Sequence, residues 1–469
     1  MPTTAPRDHR KLILTLVNRL GVLLIFLLLF ARLAEDLSRK TPLIRADLRV
    51  SNLVQSARTP GATRVMVFVS DLGRWQTLAA GGLVLGLILA LWRRKAEVLT
   101  LVLTMLPGEA LVWLIKNVVH RSRPEPANAI AFESSYSFPS GHAFAAFIFY
   151  GLVCTLLLPS IPRRARPLLI AASALLVGAI GFSRVYLGVH WPSDVLASYA
   201  AGAAWLSAAS TALFFWRHRH APLPPKIPYS RLAWASVALG GLWLSVAVSL
   251  YRLVPLPQPH AVPATILIIP AEEIPARLFE KVPTRSEDLT GKPMEPINVV
   301  IVGAAGVVGA IFRKAGWRDA DPISLGSMSR EIRSLLTDRP YPQQPGTPSF
   351  WNGFPNMLAF EHSTPANTIR ERHHIHLWNT SLIDANGASI WVATVHFDRG
   401  LRRSSATPVP VHSIDPQVDL QRAYVRESLT GTGDVASVQI FAVTSPTTGK
   451  NFAGDRFETD GKAVLLRLR

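Results

Sequence analysis

Apolar runs separated by short polar or basic segments fill the first half of the chain, while the second half alternates more finely. Seven of these runs approach the length of a membrane-crossing helix: Leu12 to Leu33, Trp75 to Trp92, Val98 to Ile115, Ala143 to Leu158, Leu168 to Phe182, Val195 to Trp216 and Leu232 to Leu253. A bilayer-spanning helix needs about 20 mostly apolar residues, because each backbone polar group must be satisfied within the segment. The fourth and fifth runs are short, so their helices must extend into flanking polar residues or cross a locally thin bilayer. The first reads as an anchor rather than a cleaved signal: its apolar core is long, it carries Arg19 and Arg32, and no small-residue cleavage pattern follows. The pattern predicts an all-α polytopic membrane helical bundle of about seven transmembrane helices over residues 1–254.

From Pro255 the text changes. A Pro-rich linker is predicted over 255–290 and a soluble α+β domain over 291–469. Ile297 to Gly303 is a β-branched run ending in glycine, Ala304 to Ala315 suits a helix, and Ile375 to Trp378 and Ile390 to Phe397 read as strands. Gly303, Gly306 and Gly309, with Asp321 downstream, suggest a dinucleotide loop, but the spacing is not G-x-G-x-x-G and no second βαβ strand precedes Asp321.

Charge adds an orientation. Up to Val254 there are 27 Lys and Arg against 10 Asp and Glu, whereas from Pro255 onward there are 22 against 21. The basic excess lies in clusters between apolar runs, which reads as membrane topology and argues against a nucleic-acid partner. Lys and Arg in short loops stay preferentially in the cytoplasm. Arg7, Arg10 and Lys11, then Arg93 to Lys95, then Arg163, Arg164 and Arg166, then Arg217, Arg219 and Lys226 occupy alternate loops. The N-terminus is therefore expected to be cytoplasmic, and the C-terminal domain periplasmic or extracellular, as in a bacterial inner membrane. The longer loop from Glu35 to Arg74 mixes charges and is expected to include an interfacial segment near Val65 to Leu72. Cys154 is the only cysteine, which excludes an intramolecular disulfide and makes a thiolate metal site unlikely.

Three short sequences at the predicted outer ends of the spans carry candidate chemistry. Lys116 and Arg123 are seven residues apart, two helical turns on one face, and Pro124 turns the chain away after them. Alone, such a pair could be interfacial cations with their stems in the bilayer. Pro139-Ser140-Gly141-His142 precedes the fourth span: Ser140 suits an N-cap, the helix start is an anion site, Gly141 permits close approach, and His142 can donate a proton. The same tetrapeptide also occurs as an ordinary turn. Ser183-Arg184 is followed by His190 and Asp194, and a carboxylate four residues on can fix the imidazole tautomer and support its charged form. That pair could equally be a structural hydrogen bond at a helix start. Glu109 lies seven residues before Lys116 inside a span and is left outside the site, since locking span packing would explain it as well.

In order, spacing and identity these residues resemble the type 2 phosphatidic acid phosphatase superfamily: Lys, six residues, Arg-Pro; Pro-Ser-Gly-His; Ser-Arg, five residues, His, three residues, Asp. The resemblance covers roughly Trp75 to Trp216. It implies a phosphohistidine mechanism in which His190 attacks phosphorus, Asp194 orients it and His142 protonates the leaving group. Lys116, Arg123, Ser140, Gly141 and Arg184 would bind the phosphate oxygens, without a metal or other cofactor. Soluble phosphatases and haloperoxidases share these motifs, so it is the spans that imply a lipid phosphate or pyrophosphate substrate. Undecaprenyl pyrophosphate, phosphatidate and phosphatidylglycerophosphate all remain open. So do transfer of the phosphate to a second acceptor, and a scaffold or secretion accessory with a vestigial site. Protein partners are not indicated.

Within the C-terminal region, a strand would place His374, His376 and Trp378 on one face, and His396 and His412 could join the histidines as a metal or anion site. A solvated polar sheet face is the simpler alternative. The stretch from Ile297 to Asp419, with its Ala-Gly-Trp, Arg-His-His and Phe-Asp-Arg-Gly sequences, resembles the LssY C-terminal domain. That resemblance implies a domain without implying a mechanism.

Overall fold

The computed structural model describes residues 9–39, 41–124, 129–131, 133, 135–158, 161–220, 234, 240–241, 243–245, 248, 267–322, 324–337, 339–364, 371–402, 411–451 and 453–469. The chain divides into two compact units, Met1–Val262 and Pro263–Arg469.

The first unit is helical: α1 (His9–Arg39), α2 (Pro42–Ser56), α3 (Pro60–Asp71), α4 (Trp75–Leu91), α5 (Lys95–Val119), α6 (Gly141–Leu157), α7 (Arg166–Tyr186) and α8 (Pro192–His220). Local chemistry sets the boundaries. Pro60 follows Thr59, whose hydroxyl accepts the Ala62 N–H at 3.2 Å and caps α3. α5 ends where His120 turns left-handed at φ 52°. α8 opens on Pro192, with Asp194 in its positive first turn. α6 packs against α7 and α8, α5 against α6 and α8, and α1 along α8, so the starts of α6 and α8 and the ends of α5 and α7 are held together.

The count of spans differs from the sequence expectation. Among the described residues three helices are long and apolar enough to cross a membrane, Ile13–Arg39, Lys95–Val119 and Arg166–Tyr186, and α3 with α4, bent by 46°, would make a fourth. The expected number of about seven, which counted every apolar run including the short ones, is not confirmed. α4 and α6 are only 17 residues each, and α8, though 29 residues long, is diluted by Ser193, Ser198, Ser207 and Ser210. The expected run Leu232 to Leu253 falls mostly outside the described residues. The unit is nonetheless that of an integral membrane protein.

The second unit is built on strands. In chain order they are β1 (Leu267–Ile268), β2 (Arg285–Glu287), β3 (Pro293–Pro296), β4 (Val299–Val302), β5 (Arg318–Asp319), β6 (Phe350–Trp351), β7 (Phe354–Pro355) and β8 (Leu358–Ser363). There follow β9 (Glu371–Ile383), β10 (Ser389–Arg402), β11 (Val411–Ile414), β12 (Val435–Ala442), β13 (Thr447–Lys450), β14 (Arg456–Thr459) and β15 (Lys462–Leu468). The main sheet has the order β12-β15-β4-β10-β9-β8-β5, with β1 beside β9 and β11 beside β10. The β4–β15 and β1–β9 pairs are parallel and the others antiparallel. One face buries Ile375, Leu377, Ala393 and Val395 against Phe312 and Val425 from the helices Ala305–Lys314 and Val418–Thr430. The other buries Trp378, Val392 and Ile390 with Ile274 and Leu278 of the helix Ile274–Lys281. That second core corrects the expected linker over 255–290: its C-terminal part already belongs to the folded unit, because Ile274 and Leu278, one helical turn apart, provide an apolar stripe.

Candidate active site

His190 sits in the tight connection between α7 and α8, only 2% exposed. Its Nδ1 lies 3.4 Å from Asp194 Oδ2 and its Nε2 lies 3.2 Å from Arg123 Nη1. The carboxylate therefore favours the tautomer with the proton on Nδ1, leaving a lone pair on Nε2. Burial, with the charges of Arg123, Arg184 and Lys116, pushes the His190 imidazole well below its ordinary range, so it stands neutral.

Arg123 is braced: its Nη1 donates to Val189 O at 2.6 Å and its Nε to Ser135 O at 2.7 Å. Lys116, in the last turn of α5, donates to Tyr136 O. Arg184, near the end of α7, donates from Nη1 to Ser70 Oγ at 2.6 Å and from Nη2 to Glu133 Oε1. The same Glu133 oxygen lies 4.0 Å from His142 Nδ1. Ser140 N–H donates to Asp194 O at 3.4 Å, and Ser198 Oγ donates to the carbonyls of both Ser140 and Asp194, which ties the start of α6 to the start of α8. Among the described residues, two buried donors of the motifs have no hydrogen-bond partner, Ser140 Oγ and Arg184 Nε. A Cβ placed on Gly141 would touch only Val112 Cγ1, at 4.0 Å, so the space before this helix start is open.

All the residues expected from the motifs thus lie on the elements around His190: Lys116, Arg123, Ser140, Gly141, His142, Arg184 and Asp194. Sequence reasoning missed the groups behind them. Asp194 Oδ2 also accepts from Trp191 N at 2.9 Å and from Ser137 Oγ, while its Oδ1 accepts from Arg121 Nη1 at 2.6 Å. Arg121 Nη2 in turn donates to Asp47 Oδ2 at 2.7 Å, and Asp47 Oδ1 accepts the Ser193 N–H at 2.9 Å. Asp47 comes from α2 and Arg121 from an unassigned position of the Lys-to-Arg spacing, so no motif marked either. Glu133 was equally unmarked.

In the second unit, His374, His376 and His396 lie side by side, with ring centroids 4.3, 5.5 and 6.0 Å apart, and His412 joins through Asp398, its Nδ1 3.7 Å from Oδ2. Arg372 binds Asp398 at 2.8 Å and Glu361 at 2.6 Å. Burial lowers His376 to about 3 and His412 to about 4, and raises Glu361 to about 8. The four histidines do cluster, but among the described residues no group of three or more His, Cys, Asp or Glu is arranged as placed to hold a metal ion.

Each unit matches a known family. Residues 97–219 match the PAP2 superfamily and residues 279–463 match the LssY C-terminus. Phosphatidylglycerophosphatase B of Bacillus subtilis (strain 168) is 31% identical over 160 residues, covering 34% of this chain and 78% of the relative. Decaprenylphosphoryl-5-phosphoribose phosphatase of Mycobacterium tuberculosis is 35% identical over 169 residues, covering 34% and 86%. Undecaprenyl-diphosphatase of Sulfolobus acidocaldarius is 34% identical over 152 residues, covering 30% and 66%. With these relatives, the helical unit is placed among membrane phosphatases that hydrolyse phosphate esters or diphosphates. The chain belongs to the PAP2 superfamily and carries an LssY C-terminus behind its phosphatase unit.

Proposed function

We propose that the chain removes phosphate from a lipid phosphate or pyrophosphate through a phosphohistidine at the extracytoplasmic face. His190 Nε2 attacks phosphorus and the bond to the leaving oxygen breaks, while His142, protonated when the bound phosphate offsets the cations around it, supplies that oxygen with a proton. Water then attacks the phosphohistidine, giving its proton to His142, and inorganic phosphate departs. Lys116, Arg123 and Arg184 stabilise the charge on the phosphoryl oxygens, as positioned cations do in phosphoryl transfer. The observation that carries this reading is the pair of buried, unpartnered donors, Arg184 Nε and Ser140 Oγ, flanking the histidines. An anion's oxygens are the partners both lack. Glu133, on the Arg184 guanidinium, is the carboxylate that an incoming phosphate displaces.

The relatives named for phosphatidylglycerophosphate, a decaprenyl phosphosugar and undecaprenyl diphosphate support a lipid carrier and leave its identity to experiment. Full-length protein in detergent, given a panel of lipid phosphates in chelator, should release inorganic phosphate, and His190→Ala should abolish both release and an acid-labile phosphoenzyme. Label passing only to an added acceptor alcohol would instead identify a phosphotransferase. A reporter fused after Arg164 should read cytoplasmic; an extracytoplasmic signal there would overturn the orientation.

A further inference from the structure

The polar face of the main sheet in the second unit is assembled by register. His374 on β9 stands directly between Glu361 on β8 and His396 on β10, and His376 follows two residues along the same face. Polar groups brought under cover are normally paired. Here, among the described residues, six are not: His374 Nε2, His376 Nδ1, His396 Nδ1, His412 Nδ1, Glu361 Oε2 and Gln344 Oε1 are all buried without a hydrogen-bond partner. His374 and His376 are 2% and 5% exposed, so bulk water does not reach them. The cover is close. A Cβ on Gly346 would lie 2.3 Å from His374 Cε1 and 3.4 Å from His376 Cε1, and Gln344 Nε2 donates to His412 Nε2 at 3.1 Å.

We propose that this pocket binds a single divalent transition-metal ion, with His374, His376 and His396 as its nitrogen ligands. Gln344 Oε1 can only accept, and so can Glu361 Oε2 once a bound cation has drawn the proton from its carboxyl; a cation satisfies both and an anion neither. Imidazole nitrogens favour zinc, copper or nickel over magnesium or calcium. Two of the rings already have a carboxylate behind the nitrogen opposite the unpartnered one: His374 Nδ1 is 3.5 Å from Glu361 Oε1, and His396 Nε2 is 3.6 Å from Asp398 Oδ1. That is the arrangement by which carboxylates orient metal-binding histidines. Arg372 in turn fixes both carboxylates. The size is also right. With Zn–N bonds of about 2.0–2.1 Å, two rings at a tetrahedral angle have centroids roughly 5 Å apart, and the three here are separated by 4.3, 5.5 and 6.0 Å. The nitrogens do not yet share one point. What remains is rotation of the rings about χ2, a soft and roughly two-fold torsion, with the strands left in place.

The test uses tag-free full-length protein in detergent, stripped with chelator, dialysed against micromolar zinc and measured for bound metal by mass spectrometry, with the visible spectrum of the cobalt form as a second readout. Wild type should retain one ion per chain and give a cobalt spectrum with nitrogen ligation. His374→Gln combined with His376→Gln should lose the ion and the spectrum, while His120→Asn, at an exposed position in the other unit, should keep both. Near-UV circular dichroism establishes that each variant is folded. If the double variant fails that check, Gly346→Ala, which drives a methyl group onto His374, should weaken zinc binding at least tenfold. Absence of bound metal in folded wild type, or equal retention when both histidines are replaced, would overturn the proposal.

Discussion

Arg121 Nη1 lies 2.6 Å from Asp194 Oδ1, the carboxylate oxygen opposite the one that faces His190. The same guanidinium reaches Asp47 Oδ2 at 2.7 Å. Asp194 is thus held from behind by a cation that is itself neutralised from α2, so the aspartate can serve the imidazole without its own charge wandering. Removing one partner of such a buried pair typically costs about 3–5 kcal/mol, and Asp47→Ala should lower thermal stability accordingly. Asp47→Asn keeps the shape. It should lower kcat about tenfold, equivalent to roughly 1.4 kcal/mol of barrier, with KM unchanged. Steady-state kinetics alongside thermal melts separate the two effects, and wild-type kcat in Asp47→Asn would reduce the link to packing.

Gly141 offers a different dissociation. Its absent side chain would meet only Val112, at 4.0 Å, so the protein itself leaves room for a methyl group. At a helical position Ala is better than Gly by up to about 1 kcal/mol. Gly141→Ala should therefore melt no lower than wild type yet lose at least about tenfold in kcat/KM, because the methyl occupies space kept for phosphate oxygens. Full activity would mean that the substrate stays clear of this helix start.

Glu133 competes with substrate for Arg184. Glu133→Gln weakens that competition and should lower KM for a lipid phosphate while leaving kcat within about twofold, a change in ground-state binding alone. A kcat that collapses would instead give Glu133 a part in proton transfer with His142.

The His190 imidazole is held below its ordinary value of 6.5, first by burial and then by Arg123, Arg184 and Lys116. A nucleophile that resists protonation keeps working as pH falls through 6.5, so the acid limb of kcat/KM should lie below that value. Arg123→Gln removes a positive neighbour. Protonation becomes easier, the imidazole's pKa rises, and the acid limb of the residual rate should move to higher pH. A limb that moved lower would contradict the electrostatic account.

The two units have separate cores, and each residue named above as part of the site at His190 belongs to the first. A chain ended at Pro257 should insert and hydrolyse a short-chain lipid phosphate with the kcat of the full protein. A well-folded but inactive product would show that the C-terminal unit helps to build or cover the site.

What could be read from the chain follows from how locally it is encoded. His190 and Asp194 are four residues apart, so their pairing was visible as spacing, and the β-branched run ending at Gly303 did become β4 with a helix after it. Asp47 and Ser193 are 146 positions apart, and only the packing of α2 against α8 brings them together, which no periodicity records. The strands β9 and β10 came out longer than expected, 13 and 14 residues, because their polar alternate positions end an apolar run without ending a strand. About seven spans are not confirmed for the converse reason: an apolar run announces burial, and in α6, buried among other helices, that does not require the length of a bilayer.

The stretch matched to the superfamily begins at residue 97, whereas the counter-charge for Arg121 is Asp47. A minimal enzyme cut at that border would keep both histidines, the motif aspartate and the motif cations, yet would strand a largely buried guanidinium with half its compensation gone. Grafting this catalytic core into another protein would therefore require the donor's α2 helix as well, or a new carboxylate built where Asp47 stands.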